Sequence, residues 1–472
     1  MKLLASGSRA PPVEVFCWES GYEMRPDLAA CHGEARLPRY TSYPTAPHFS
    51  GSIDSDTYAE WLRTIPPRAC TSLYLHVPFC REMCWYCGCH TQIARRDEPV
   101  SVYAAALRCE LELVSRQINR RLAVDHIHFG GGTPTIMASE LFLDLVGSIR
   151  HAFFVLPTAE IAVEIDPRTL SKGMVDALRL GGVNRASLGV QSFDPVVQRA
   201  INRVQGFAET AEAARSLREA GIGGINFDLI YGLPHQTVAS CLDTVTRCIA
   251  LRPDRFAVFG YAHVPSFKKH QRKIAEGSLP DSLERLEQAC AIAGALKQAG
   301  YVQIGLDHFA LPGDAMAFAQ REGRLRRNFQ GYTTDASSVL LGFGASAIGH
   351  LPQGYVQNEV NTRAYGERIA GGELATARGY ALTGDDRLRG EIIERIMCDF
   401  GVDLHPICAR HGLAADEMLK SRRLQDLVSS GVVELDGAFL AVKEDSRFLV
   451  RSVAAAFDAH LEGSTTLHSR AV

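Results

Sequence analysis

The stretch Leu73–Cys89, LYLHVPFCREMCWYCGC, passes from a short apolar run directly into a loop that carries Cys80, Cys84, Cys87 and Cys89. LYLHVP (Leu73–Pro78) predicts a buried strand that Pro78 brings to an end. The thiols follow with the spacing C-x3-C-x2-C and then x-C. A structural zinc site normally needs a second pair of ligands, and no further CxxC or HxxxH lies nearby. Three thiolates on one loop can instead hold three irons of a cubane cluster and leave the fourth iron open to bind something else.

Outward from this strand the same unit recurs: a short apolar segment, a turn, then a longer amphipathic helix. Strands are predicted at His126–Gly131, Ile161–Asp166, Arg185–Val190, Ile225–Ile230 and Arg255–Gly260, with a further one over Val302–Ala310. Between them, stretches such as SVYAAALRCELELVSRQI and FAETAEAARSLREAG have helical apolar spacing. Strand-helix units in series imply an α/β protein with a parallel sheet, closed into a barrel, partly closed or left open. Glu164, Asp166, Gln191 and Asp228 lie at or near C-terminal strand ends, the edge on which the cysteine loop also opens. In barrels of this kind that edge is the active face.

An extension rich in Pro and Gly, residues 1–69, precedes this region, which is taken as residues 70–375. Beyond it, residues 376–472 change to helices with a short hairpin turning at Asp436-Gly437. Thr383-Gly-Asp-Asp386 predicts a helix-capping box. A winged-helix lid fits this pattern better than a nucleic-acid module. The chain of 472 residues carries a net charge of -3, so no global basic field recruits nucleic acid. MKLLASGSRAPPVEVF lacks the apolar core of a secretory signal, and no apolar run approaches a membrane span. Thirteen scattered cysteines do not form a secreted disulfide framework, which makes a reducing, cytoplasmic setting the expectation.

The motif C-x3-C-x2-C after the first strand resembles the radical S-adenosylmethionine superfamily. Over residues 36–460 the chain further resembles the oxygen-independent coproporphyrinogen III oxidase (coproporphyrinogen dehydrogenase) family, through PRYTSYPTA, LYLHVPFC, CGC, HFGGGTPT, VEIDPR, GVQSF, INFDLIYGLPHQT, YAHVP, GLDHFA, AQREGRLRRNFQGYTT and GASAIG. The resemblance implies a partial (β/α)6 barrel, a 4Fe-4S cluster and two molecules of S-adenosylmethionine. It implies Cys80, Cys84 and Cys87 as cluster ligands. Tyr74, Glu164 and Ile348 are then contacts of the first S-adenosylmethionine, Gly131, Gly132 and Thr133 form a cofactor-binding turn that lets backbone approach a ligand closely, and Tyr86, Gln191, Arg203, Asp228 and Ala262 belong to the second cofactor.

The family's substrate, coproporphyrinogen III, has four propionates, two of which become vinyl groups in heme biosynthesis. Arg39 and the run Arg321, Arg324, Arg326, Arg327 are candidate carboxylate partners, and His308 either orients substrate or completes a core hydrogen bond. Cys89 cannot take the fourth iron without blocking S-adenosylmethionine, so a catalytic role near the substrate or the second cofactor is expected, with a Cys89→Ser chain that keeps its cluster but turns over poorly. An electron donor such as flavodoxin or ferredoxin, an unidentified electron acceptor and a monomeric state complete the expectation. Heme-binding, chaperone-like paralogs are the alternative; they typically carry Asp-Phe where this chain has Gly88-Cys89, and lack PRYTSYPTA.

Overall fold

The apolar run before the cysteine loop is strand β1 (Cys70–Val77), which lies inside a 12-stranded sheet. The structure is a computed structural model that describes residues 35–461 together with Leu28; Cys17 and Cys31 fall outside the described residues. Beside β1 follow β2 (Ala123–Gly131), β3 (Phe154–Ile165), β4 (Arg185–Gln191), β5 (Gly224–Tyr231) and β6 (Arg255–Gly260), all parallel and in chain order. Helices α1 (Glu98–Ile118), α2 (Ser139–Ala152), α3 (Lys172–Gly181), α4 (Phe207–Glu219) and α5 (Val238–Ala250) connect them, and α6 (Ser282–Gln298) follows β6. Side chains alternate across each strand. On β1, Leu73, Leu75 and Val77 join the main core, and on β5 Ile225, Phe227 and Leu229 do the same. His126, His128, Asn226 and Asp228, from the intervening positions, line an inner polar cavity of about 190 Å³.

The sheet is open, in agreement with a partial barrel and not a closed one. VQIGLDHFA is not one strand. Gly305 takes a left-handed φ of 53° and turns the chain between β7 (Val302–Ile304) and β8 (His308–Ala310), which pair antiparallel. A Cβ there would stand 2.1 Å from the Tyr332 ring, so the turn requires glycine. On the other side of β1 the sheet gains β9 (Val339–Phe343), parallel to β1, and the antiparallel β10 (Ile348–Leu351), β11 (Gly354–Asn358) and β12 (Thr376–Ala381). The sheet thus runs six residues past position 375.

The capping box of α7 (Gly384–Asp399) forms as its sequence predicts: Asp386 N donates to Thr383 Oγ1 at 3.1 Å and Thr383 N to Asp386 Oδ2 at 2.9 Å. The hairpin of Val433–Asp436 and Phe439–Val442 also forms, joined by a third short strand, Gly401–Asp403. Leu37, Tyr40 and Tyr43 of the N-terminal extension share the hydrophobic core of this C-terminal region. Ser50 of the extension exchanges backbone hydrogen bonds with Gly379 on the edge strand β12.

One buried acid fixes the upper rim of the sheet. Glu110 of α1 accepts hydrogen bonds from Gly344 N (2.7 Å), Asn358 Nδ2 (2.6 Å) and Tyr365 Oη (2.8 Å). Burial outweighs these donors and pushes its carboxyl up to about 7 from 4.5. A folded-state value above the unfolded one contributes stability that is complete below about 4.5 and disappears as pH rises through about 7. The difference is about 3 kcal/mol. Chemical denaturation of the wild type and Glu110→Gln between these pH values should show that loss in the wild type only; identical slopes would remove Glu110 as its source.

Candidate active site

The C-terminal ends of the parallel strands gather the polar residues named above. The loop after β1 begins with a two-residue parallel pairing, Phe79–Cys80 against Gln92–Ile93, which sets the position of Cys80. Its sulfur lies 3.3 Å from Thr91 Oγ1 and accepts from Thr133 Oγ1 at 3.5 Å. Burial raises the Cys80 thiol, and these hydroxyls work against that rise. Cys84 is buried, with Arg203 Nη1 donating to its sulfur at 3.6 Å and Arg168 Nη2 at 3.9 Å. The neighbouring Cys89, through its thiol and its backbone, together with Lys268 and Arg203, holds the Cys87 thiol below the usual range. Hydroxyls and guanidinium groups aimed at sulfur favour thiolates, the form that binds iron. The three cysteines therefore fit a cluster-ligand set.

The glycine turn after β2 locks this loop to the barrel. Gly132 N donates to Val77 O (2.9 Å) and Thr133 N to Phe79 O (2.8 Å). A Cβ on Gly132 would sit 2.6 Å from Phe79 O, and one on Gly131, at φ 114°, would sit 2.6 Å from the His76 ring. The glycines thus permit close packing of protein on protein, in addition to any approach of backbone to ligand. Glu164 lies beside them, accepting from Gly131 N at 3.0 Å with His128 Nε2 3.1 Å away. Burial raises its carboxyl, but His128 and the Gly131 amide outweigh this and hold it below the usual range. Tyr74 stands next to His128, ring centroids 5.8 Å apart, and its hydroxyl is 2.9 Å from His76 Nδ1. Ile348 is brought to the same place through Gly342, which pairs with Tyr74 on one side and abuts the Ile348 backbone on the other.

Arg203 is not a solvated helix charge. It is 6% exposed, donates to Gly189 O at 2.7 Å and pairs with Asp166 at 3.4 Å. Asp166 also pairs with Arg168 at 2.6 Å, so one carboxylate holds both cations against Cys84. This bridging role of Asp166 was not evident from its position at a strand end. Gln191 is buried in a left-handed conformation, φ 67°. Tyr86 packs on an apolar group with Val197, Ile201 and Tyr261. Asp228 instead faces the inner cavity, accepting from Ser187 Oγ (2.9 Å) and Asn226 Nδ2 (2.8 Å), and burial pushes it up to about 6.

Beyond the strand ends lies a larger cavity of about 710 Å³, lined by Ala262, Arg36, Arg39, Arg285, Arg327 and Arg451 among others. Arg39 and Arg327 were expected there. Arg321, Arg324 and Arg326 are not part of its wall: they engage Phe318, Glu322 and Glu394. Arg36, Arg285 and Arg451 belong to no motif and could not be selected by sequence spacing. His308 lines the inner cavity, its Nδ1 2.7 Å from Asp307 Oδ1 and its ring edge-on to Phe259 and Tyr332. Cys89 is exposed beside Cys87 and does not line either of these cavities.

Residues 74–248 match the radical SAM superfamily and residues 382–449 match the HemN C-terminal domain. The chain is 70% identical to an oxygen-independent coproporphyrinogen III oxidase of Bradyrhizobium diazoefficiens over 95% of its own length and 100% of the relative's. It is 43% identical to the protein of that name from Paracoccus denitrificans, covering 93% and 97%. Its fold superposes on the Escherichia coli coproporphyrinogen III oxidase HemN, a radical SAM enzyme, with a TM-score of 0.88 and 37% identity, over 93% of this chain and all of the other. Enzymes of this superfamily use a 4Fe-4S cluster and S-adenosylmethionine, which the three cysteines of the loop, with hydroxyl and guanidinium groups directed at the Cys80 and Cys84 sulfurs, suit. The chain belongs to the oxygen-independent coproporphyrinogen III oxidase family of the radical S-adenosylmethionine superfamily.

Proposed function

We propose that the protein converts coproporphyrinogen III to protoporphyrinogen IX without oxygen, in heme biosynthesis, turning two propionates into vinyl groups. The observation that carries this reading is the cavity of about 710 Å³ with guanidinium groups in its wall, bounded by Tyr231 and Gly260 at the ends of β5 and β6 and by Ser266, which begins the segment hydrogen-bonded to the cysteine loop. Guanidinium groups pair with carboxylates in two-point fashion, and a tetra-anionic tetrapyrrole needs several of them. Each propionate loses a hydrogen atom, carbon dioxide and one electron. When bound, the cluster and S-adenosylmethionine supply the carbon radical that takes the hydrogen atom.

The chain's own residues then bind and orient. Cys80, Cys84 and Cys87 hold the cluster. Tyr74, Gly131, Glu164 and Ile348 surround the first S-adenosylmethionine, with Glu164 suited to a ribose diol or an ammonium. Tyr86, Gln191, Arg203, Asp228 and Ala262 serve a second molecule, and Gly132 and Thr133 complete the cofactor-binding turn. Arg39 holds propionate, His308 stays with Asp307 at the inner cavity, and Cys89 works from the outer edge of the loop. An external low-potential donor supplies the electron, a separate acceptor removes the substrate's, and a monomer in the cytoplasm is the simplest setting. Among the described residues no helix is long and apolar enough to cross a membrane.

The test is anaerobic: the cluster-loaded protein with S-adenosylmethionine, reductant and coproporphyrinogen III should yield carbon dioxide and protoporphyrinogen IX, consuming one S-adenosylmethionine per vinyl group. Formation of 5'-deoxyadenosine with intact substrate, together with stoichiometric heme binding, would overturn this reading.

A further inference from the structure

The segment Ser266–Lys273, SFKKHQRK, concentrates positive charge in a chain whose net charge is -3. It is fastened to the outer side of the cysteine loop. Lys268 Nζ donates to Cys89 O at 2.9 Å, His270 Nε2 lies 2.7 Å from Cys87 O, and Gln271 Nε2 donates to Tyr86 O at 3.0 Å. Lys273 Nζ stands 5.3 Å from the Trp85 ring centroid. Among the described residues, the contacts of Lys268, Arg272 and Lys273 are thus with backbone oxygens and an indole, and no carboxylate pairs with them. On one side the segment closes the large cavity through Ser266. On the other, Phe267 (62% exposed), Lys269, Arg272 and Lys273 face solvent.

Cleavage of S-adenosylmethionine in this superfamily consumes an electron that enters from outside the protein. A basic rim around an exposed aromatic is the composition of a transient docking surface: charge steers the encounter and the ring gives it an apolar centre. We infer that the Phe267–Lys273 face docks an acidic one-electron carrier protein, which passes its electron to the cluster across the Cys87 and Cys89 carbonyls. The carrier loses one electron and the cluster gains one, with no bond formed or broken. The inference rests on Cys80, Cys84 and Cys87 being the cluster ligands, and does not depend on the substrate.

The test uses the full chain, cluster-loaded, with Lys269→Glu, Arg272→Glu and Lys273→Glu combined, and a milder version with Gln at the same positions. Cleavage of S-adenosylmethionine is measured with two reductants: an acidic [2Fe-2S] ferredoxin that drives the wild type, and titanium(III) citrate. With ferredoxin the Glu variant should lose about 10- to 1,000-fold in kcat/KM for the carrier, the Gln variant less, and the wild type's fall in rate with added salt should flatten. With titanium citrate all three proteins should be equal. Undiminished ferredoxin turnover would place docking elsewhere. An equal loss with both reductants would make the face a support for the loop. If the wild type itself shows no cluster absorbance, the ligand assignment fails instead.

Discussion

Cys84→Ala is expected to yield a chain without iron-sulfur absorbance in the visible range, without detectable cleavage of S-adenosylmethionine, and destabilised by about 3 kcal/mol. The loss of absorbance follows from the ligand role; the loss of stability follows from what surrounds the sulfur. Arg203 and Arg168 converge on Cys84 and share Asp166 as their carboxylate partner. The Cys84 sulfur is the second acceptor of both groups, and Ala leaves two guanidinium groups each short of one partner in a buried position. Cys248→Ala serves as the control, because Cys248 lies in the core, where burial pushes its thiol up, and touches no cation. It should lose packing energy and keep the cluster. A normal cluster spectrum in Cys84→Ala would overturn the ligand assignment.

Arg327→Gln should raise the KM for coproporphyrinogen III by about 10- to 100-fold, the worth of a charge-assisted hydrogen bond. The KM for S-adenosylmethionine and the cluster spectrum should not change. Arg327 lines the large cavity, stacks on Tyr332 at 4.4 Å and donates Nη2 to Arg39 O at 3.2 Å. Its buried Nε and Nη1 make no hydrogen bond to the described protein, which is costly unless a ligand carboxylate meets them. Neighbouring cations intensify the demand for an anion: burial first, then repulsion from Arg39 and Arg327, lowers Arg451 to about 10. Arg327→Lys should rescue only part of the loss, since an ammonium cannot present a planar fork. If KM is unchanged and only thermal stability falls, Arg327 is structural.

The six parallel strands were legible because each is an apolar run flanked by turn residues and followed by a helix of the right period. β9 to β12 were not, because that alternation stops at residue 310 and the strands are short, Gly-containing and separated by turns of two or four residues or by a single helix. The same contrast holds at the site. Cys80, Cys84 and Cys87 are close in sequence, so their spacing alone groups them as one candidate ligand set. Arg36, Arg39, Arg285, Arg327 and Arg451 come from the extension, from α6, from the short strand Arg326–Asn328 and from the C-terminal region, and only the fold makes them neighbours. His308 remained ambiguous on sequence because its partner, Asp307, precedes it directly and the motif is the same whether it faces ligand or core.

The pairing of Ser50 with Gly379 has a consequence for how the molecule coexists with its own copies. β12 is the outer strand of the sheet, and an outer strand with unmet amide and carbonyl groups is a template on which another chain can add a strand. Ser50 N and O occupy those of Gly379, while Ile53 crowds the same glycine so closely that a Cβ there would stand 2.8 Å from its Cγ2. The segment that carries Arg39 to the cavity therefore also occupies part of this outer edge, so that the approach of another chain to the sheet and the shape of the cavity wall are tied to one stretch of chain.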